Sequence, residues 1–327
     1  MVRRDEAGAV PSLETVCNAL PDPGLGNVSA STALALRWVV VSLARRQEAG
    51  MRFRRFGPTG RDVPIVGQGS WKLDSDAWDL AVAALRRGFD EGMTHVDTAE
   101  MYGDAELLIA EAMAGRRDEL FLVSKVLPQN ASADGVVEAC ERSLSRLGTD
   151  RLDCYLLHWR GRIPLDETFA GFERLVRSGK ILAWGVSNFD VTDLDEALRI
   201  AGPSRITCNQ VLYNLEERAI EHDVIPWCKR HGAAVVAYSP FGHGNFPDEH
   251  LPGGRLLAEI GDAHDATPRQ VALAFLAREA FVIPKASSPE HAAQNAAAGD
   301  LELSEGELAS IDAAFPRGPK PSALPML

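Results

Sequence analysis

From residue 51 onward the chain repeats one pattern: a short apolar or β-branched run, then a longer stretch with helical spacing and a charged face. The runs are IVGQGSW (65–71), THVDTA (94–99), LFLVSKV (120–126), DCYLLHW (153–159), ILAWGVSN (181–188), ITCNQV (206–211), AAVVAYSP (233–240) and FVIPKAS (281–287). Helices are expected over 76–91, 103–114, 132–147, 168–178, 190–200, 217–231, 268–280 and 289–298. Asp190 and Thr267-Pro268 sit where an N-cap and a first-turn proline belong, and Gly148 follows Leu144 and Leu147 as a helix stop. Strand–helix units in series require parallel strands joined by right-handed crossovers. Eight of them are the number that closes a barrel. The rival, an open doubly wound sheet, places GxGxxG after its first strand, and GQGSW lacks the third glycine at that spacing. The expected fold is therefore α/β, a single-domain (β/α)8 TIM barrel over residues 51–327.

The preceding residues, 1–50, do not share the pattern. VPSLETVCNALPDPGLGNVSAS is rich in turn formers, and ALALRWVVVSLARR is apolar but short and broken by Arg37. A spanning helix needs about 20 mostly apolar residues. A signal peptide would place its apolar run close behind Arg3 and Arg4 rather than far downstream. This stretch is expected to be a disordered extension or to lie outside the native start, with Met51 as that start. No membrane association is expected.

Composition narrows the function. A net charge of -12 argues against nucleic acid, whose phosphates demand a surplus of Lys and Arg. Five cysteines (Cys17, Cys140, Cys154, Cys208, Cys228) are odd in number and show no metal-ligand spacing, so neither a disulfide framework nor a metal site is expected. The expected compartment is the reducing cytoplasm.

Barrel enzymes assemble their chemistry at the C-terminal ends of the strands. Here those ends read Gly69-Ser70-Trp71, Asp97 (with Tyr102 on the loop behind it), Lys125, His158-Trp159, Ser187-Asn188, Asn209-Gln210, Tyr238-Ser239 and Lys285. Taken singly these are unremarkable: an Asp near a Tyr at a turn is most often an Asx-turn and a surface aromatic. Lys125 and His158, however, end strands that are otherwise apolar, which turns them toward the barrel mouth. A phenol, with a pKa near 10, is a poor proton donor unless tuned, and an adjacent ammonium favours its phenolate. Lys125 can supply that ammonium, Asp97 its counter-ion, and His158 a hydrogen bond to the oxygen that Tyr102 protonates. This is an apparatus for protonating a carbonyl oxygen as it gains negative charge.

GMTHVDTAEMYGDAE, DCYLLHWRG, WGVSNF, NQVLYN, AYSP and VIPKASSPEH, in this order and each on a different strand, resemble the aldo-keto reductase superfamily, and within it the bacterial methylglyoxal and small-aldehyde reductases. The likeness spans about residues 52–315. It implies NADPH-dependent reduction of small aldehydes or ketones, by hydride transfer from nicotinamide C4. Asp97, Tyr102, Lys125 and His158 match the catalytic tetrad, Tyr102 as general acid. Ser187, Asn188 and Gln210 match the residues that hold the nicotinamide carboxamide, and Tyr238 the aromatic stacked on its ring. Ser239 begins the pyrophosphate loop. Lys285, Ser287, Ser288, His291 and Asn295 fall on the segment that grips the adenosine 2′-phosphate. Trp71 and Trp159 match the aromatic wall of the substrate pocket.

One departure bears on the cofactor. His291 stands where many members have an arginine, and Gln294 where a glutamate is common. Histidine is a weaker phosphate partner, so NADH is expected to be tolerated beside NADPH. Ser288 and Pro289 also read as a helix cap and first turn, which is compatible because helix N-termini bind phosphate. The superfamily includes channel-associated β-subunits, so a cofactor-binding regulatory or sensor subunit is the alternative to an enzyme; the complete tetrad favours the enzyme. RGRIPLDE after the fourth strand and the tail PRGPKPSALPML are short, from which an open pocket with broad acceptance is expected, in a monomer. The intact mass of protein expressed from its native gene should begin at Met51; a longer product would overturn that start.

Overall fold

Eight short strands, all parallel, hydrogen-bond in sequence order: β3 (Gln68–Gly69), β4 (His95–Asp97), β5 (Phe121–Val126), β6 (Cys154–Leu157), β7 (Trp184–Ser187), β8 (Ile206–Leu212), β9 (Ala234–Tyr238) and β10 (Phe281–Val282). This computed structural model describes residues 50–75 and 77–327. The expected extension thus lies, but for Gly50, outside the described residues. Beside β3, Val66 bridges Val282, with Gly67 N donating to Val282 O at 2.8 Å and Val282 N to Ile65 O at 2.9 Å, and the sheet closes on itself. Each barrel strand falls inside a run expected from sequence except β8, which runs one residue past 206–211 to Leu212. Among the described residues no helix is long and apolar enough to cross a membrane.

Side chains alternate across each strand, so parity decides which face a residue occupies. Leu122, Val126, Tyr155, Leu157, Trp184, Val186, Val235 and Val282 point outward and pack against the helices. Phe121, Val123, Cys154, Leu156, Cys208, Ala234, Val236, Phe281 and Ile283 point inward and fill the barrel. Continuing the inward parity two residues toward the C-terminal end of each strand reaches Lys125, His158, Gln210, Tyr238 and Lys285. The lower barrel is hydrocarbon, and the same register puts polar groups at the mouth.

The helices are α1 (Trp78–Asp90), α2 (Ala105–Ala112), α3 (Ala133–Leu147), α4 (Leu165–Arg177), α5 (Val191–Ala201), α6 (Val224–His231), α7 (Pro252–Ala263), α8 (Pro268–Leu276), α9 (Pro289–Ala297) and α10 (Glu305–Ala314). The local signals hold. Asp190 caps α5, Thr267 caps α8 in a reciprocal capping box, and Gly148 closes α3 in the left-handed region at φ 62°. α6 is shorter than the expected 217–231 because Pro226 lacks an N–H and clashes with a preceding turn, which confines it to the first turn.

Three elements were not expected. The hairpin β1 (Phe53–Arg55) and β2 (Asp62–Pro64) seals the barrel base and carries Phe56, fully buried against Phe121 and Phe281. α10 starts with a Ser304/Glu307 capping box, a signal present in the sequence as S-x-x-E. α7 begins on Pro252-Gly253-Gly254, which locally reads as a turn. A Cβ on Gly254 would lie 2.0 Å from the Asp248 carbonyl oxygen, so glycine is required there by close approach.

His95 lies in the base layer, with no exposed surface and ring contacts to Phe56, Phe121 and Phe281. Burial, helped by the Lys125 charge, lowers its pKa to about 3. Unfolded chains protonate this imidazole below its ordinary value of about 6.5, whereas the folded chain does not. Acidification therefore favours unfolding. The His95 contribution is complete above pH 6.5 and is lost as pH falls toward 3. Denaturant titrations across this window should show unfolding free energy falling by roughly 1.4 kcal/mol per pH unit for each such proton. His95→Leu should remove one proton's worth of that slope, and an unchanged slope would contradict a neutral buried imidazole.

Candidate active site

Lys125, at the end of β5, has no exposed surface, so its ammonium must be satisfied by protein groups. It donates to Asp97 Oδ1 at 2.5 Å and to the Thr98 carbonyl at 2.9 Å, and stands 3.4 Å from the Tyr102 hydroxyl. The other oxygen of Asp97 accepts from Gln210 Nε2 at 2.7 Å. Tyr102 comes from the loop after β4, where its N–H bonds the Ala99 carbonyl in a tight turn. Its hydroxyl lies 3.5 Å from His158 Nε2, and the two rings meet edge to face. The four residues expected to act together are thus linked in one chain, Asp97 to Lys125 to Tyr102 to His158.

Their ionisation follows from burial and pairing. Burial alone would lower the Lys125 ammonium, but Asp97 and then Tyr102 outweigh it and hold its pKa above the ordinary value. Burial pushes the Asp97 carboxyl up against the pull of Lys125 and Gln210. His158 is driven down to about 2, first by burial and then by the Lys125 charge, so its imidazole is neutral. Tyr102 corrects one expectation. The Lys125 ammonium does pull the phenol down, but burial is the larger effect and the net displacement is upward. At neutral pH the phenol keeps its proton.

The next strand ends form a second cluster. The Ser187 hydroxyl donates to the Gln210 carbonyl at 2.8 Å. Asn188 takes the left-handed conformation at φ 59°, which Asn tolerates better than most residues. Its amide donates to the His158 carbonyl at 3.1 Å, while its Oδ1 accepts from the Tyr238 hydroxyl at 2.9 Å. Gln210, expected to hold a carboxamide, here anchors Asp97 with its amide nitrogen.

Two clefts converge on these groups. One, of about 300 Å³, is walled by Trp71, Trp159 and Met101 and floored by Tyr102 and His158. The other, of about 260 Å³, runs from Tyr102 past Tyr238 and Ser239 to Lys285. Trp71, Tyr102 and Tyr238 line both, so the clefts meet at the phenol. Ser239 (φ 50°), Gly242 and Gly244 bend the loop after β9 around the second cleft, where His243 stacks on Trp71 at 5.0 Å. This groove fits a dinucleotide: a flat aromatic wall, amide and hydroxyl groups beside it, and a lysine at the far end. Ser288, Ser287, His291 and Asn295 lie beyond it and line neither cleft. Ser288 caps α9 by accepting from the His291 N–H, and Asn295 is buried in that helix. Among the described residues no group of side chains could hold a metal ion.

Sequence reasoning missed part of the pocket. The tail, read as leaving the mouth open, returns to it: Met326 and Leu327 line the first cleft, and the Leu327 N–H donates to the Tyr238 hydroxyl at 3.4 Å. The apolar ending LPML in an otherwise polar tail was the available signal.

Comparison with known proteins places the barrel among known relatives. Residues 65–315 match the profile of the Aldo/keto reductase family. Methylglyoxal reductase YeaE of Escherichia coli is 45% identical over 271 residues, covering 81% of this chain and 95% of that protein. Glyoxal reductase of Bacillus subtilis is 33% identical over 260 residues, covering 78% and 90%. An aldo/keto reductase from Klebsiella pneumoniae, crystallised with NADP and acetate, superposes with a TM-score of 0.79 at 44% identity, covering 85% of this chain and 100% of that one. With the family profile spanning all eight barrel strands and relatives this similar along most of its length, the chain belongs to the aldo/keto reductase family.

Proposed function

We propose that this protein reduces small aldehydes or ketones to alcohols with NADPH, using Tyr102 as the general acid. The observation that carries the reading is the position of the Tyr102 hydroxyl. It sits where the two clefts meet, beside a buried ammonium and a neutral imidazole. When bound, the nicotinamide supplies a hydride from C4 to the carbonyl carbon. As the carbonyl oxygen gains charge, Tyr102 donates its proton, and Lys125 stabilises the phenolate left behind. Asp97 keeps Lys125 charged and in place. Burial and the Lys125 charge keep the His158 imidazole neutral, so it orients the oxygen and does not compete as the acid.

Cofactor preference rests on Lys285. Its ammonium at the far end of the groove, close to the Ser288-capped N-terminus of α9, suits a 2′-phosphate. Trp71, Trp159, Met101 and Met326 make the substrate side largely apolar, which suits small uncharged carbonyl compounds. The E. coli and B. subtilis relatives, named for methylglyoxal and glyoxal, make these the first compounds to assay.

Tyr102→Phe should lower NADPH oxidation with methylglyoxal by a factor of about 10² or more while protein fluorescence is still quenched by NADPH. Near-normal turnover would remove Tyr102 from the acid role. Lys285→Ala should weaken NADPH at least tenfold more than NADH, roughly the value of one charge-assisted phosphate contact; equal losses would contradict a 2′-phosphate partner.

A further inference from the structure

Tyr102 belongs to no helix or strand, yet its hydroxyl must be held within a few tenths of an ångström. Its distances to Lys125 (3.4 Å) and His158 (3.5 Å) are already at the outer limit of a hydrogen bond, where the interaction weakens steeply. Something outside the tetrad therefore has to fix the loop. On the N-terminal flank, Glu100 does so: its N–H donates to the Lys125 carbonyl at 3.2 Å, and its carboxylate accepts from Leu127 N at 2.6 Å and Asn130 Nδ2 at 3.0 Å. On the C-terminal flank, Gly103 turns the chain at φ 53°, and a different device appears.

Arg146, in the last turn of α3, donates from Nη2 to the Gly103 carbonyl at 2.5 Å and to Asp104 Oδ1 at 3.2 Å. Its Nε donates to Glu106 Oε2 at 3.1 Å. Glu106 is 1% exposed, and its other oxygen accepts from the Ser124 hydroxyl at 3.0 Å. Ser124 immediately precedes Lys125 on β5. One guanidinium and one buried carboxylate thus connect the turn that carries the phenol to the strand that carries the ammonium. Apolar packing would seat α2 on the barrel as firmly, since a buried ion pair is a poor source of stability compared with well-packed hydrocarbon. Directional bonds instead set the distance between two particular segments. Only the planar fork of arginine, with donors on two edges, serves the Gly103 carbonyl and the Glu106 carboxylate together.

We infer that Arg146, braced by Glu106, is a positioning residue for Tyr102 that sets its hydroxyl against Lys125 and His158. This inference rests on the reading of Tyr102 as the acid. Arg146→Ala is expected to lower kcat by about 10- to 100-fold, the range a shift of about 1 Å produces, with cofactor Kd within about twofold of wild type. The alkaline limb of the kcat profile should move to higher pH, because a phenol farther from the ammonium holds its proton more tightly. Arg146→Lys keeps a charge for Glu106 but cannot reach the Gly103 carbonyl at the same time. It should restore the Tm while leaving kcat low, and it decides the matter if the alanine variant does not fold. Arg174→Ala, on α4, which breaks an exposed pair with Asp134 in the first turn of α3, should leave kcat and the pH profile unchanged.

A folded Arg146 variant with kcat within twofold of wild type would overturn the inference. So would a fall in kcat matched by an equal loss of cofactor affinity, or one without movement of the alkaline limb. Tyr102→Phe, assayed alongside, separates the two levels: if it is inactive while the Arg146 variants turn over normally, the acid stands and the positioning role falls. If it turns over normally, the reading of the acid itself falls.

Discussion

The ion pair between Lys125 and Asp97 is the constraint on which the rest of the site depends. Removing a carboxylate and an ammonium from water costs several kcal/mol for each ion, and their attraction repays this only where the geometry is good and further hydrogen bonds satisfy both groups. The barrel meets both conditions. β4 and β5 are neighbours, both side chains lie on the inward parity, and Asp97 is directly opposite Val123 in the register. The Thr98 carbonyl and the Gln210 amide take up the remaining valences. A slip of one residue between β4 and β5 would turn one of the two charges outward into the apolar layer under the helices, away from its partner. The pair therefore works against misregister as well as for chemistry.

The charge held there orders its surroundings. It helps to keep both His95 below and His158 beside it neutral, and it pulls on the Tyr102 phenol against the effect of burial. The outcome is a buried ammonium paired with the Asp97 carboxyl, beside a protonated phenol and a neutral imidazole. Hydrocarbon beneath this layer excludes water from the barrel and strengthens each interaction above it. The apolar walls formed by Trp71, Trp159 and Met326 do the same from the side of the first cleft.

Much of this was legible in one dimension because the signals are local. An apolar run bounded by turn formers specifies a strand, and alternation within it specifies which residues share a face. A polar residue at the end of such a run must therefore meet its counterparts at the barrel mouth, which is why Asp97, Lys125, His158 and Tyr238 could be placed together. What escaped were features set by packing against distant chain. The hairpin at the base is held by Phe56 against residues hundreds of positions away, the glycines of α7 read as a turn until the Asp248 carbonyl is seen beside them, and the tail reaches the pocket through a bond to Tyr238.

The sequence by itself determined the number and order of the barrel strands, the parity of their side chains and the chemical types assembled at their ends, since each depends on period and neighbour identity alone. Tertiary structure decided the quantities that depend on distance and dielectric. Whether burial or the ammonium controls the phenol is a contest between two through-space effects, and burial won. The Gln210 amide turned to Asp97 because the closed barrel brings β8 within hydrogen-bond reach of β4 across its interior. Arg146 acquired a relation to Tyr102 only when α3 packed beside α2, a proximity that no spacing along the chain encodes.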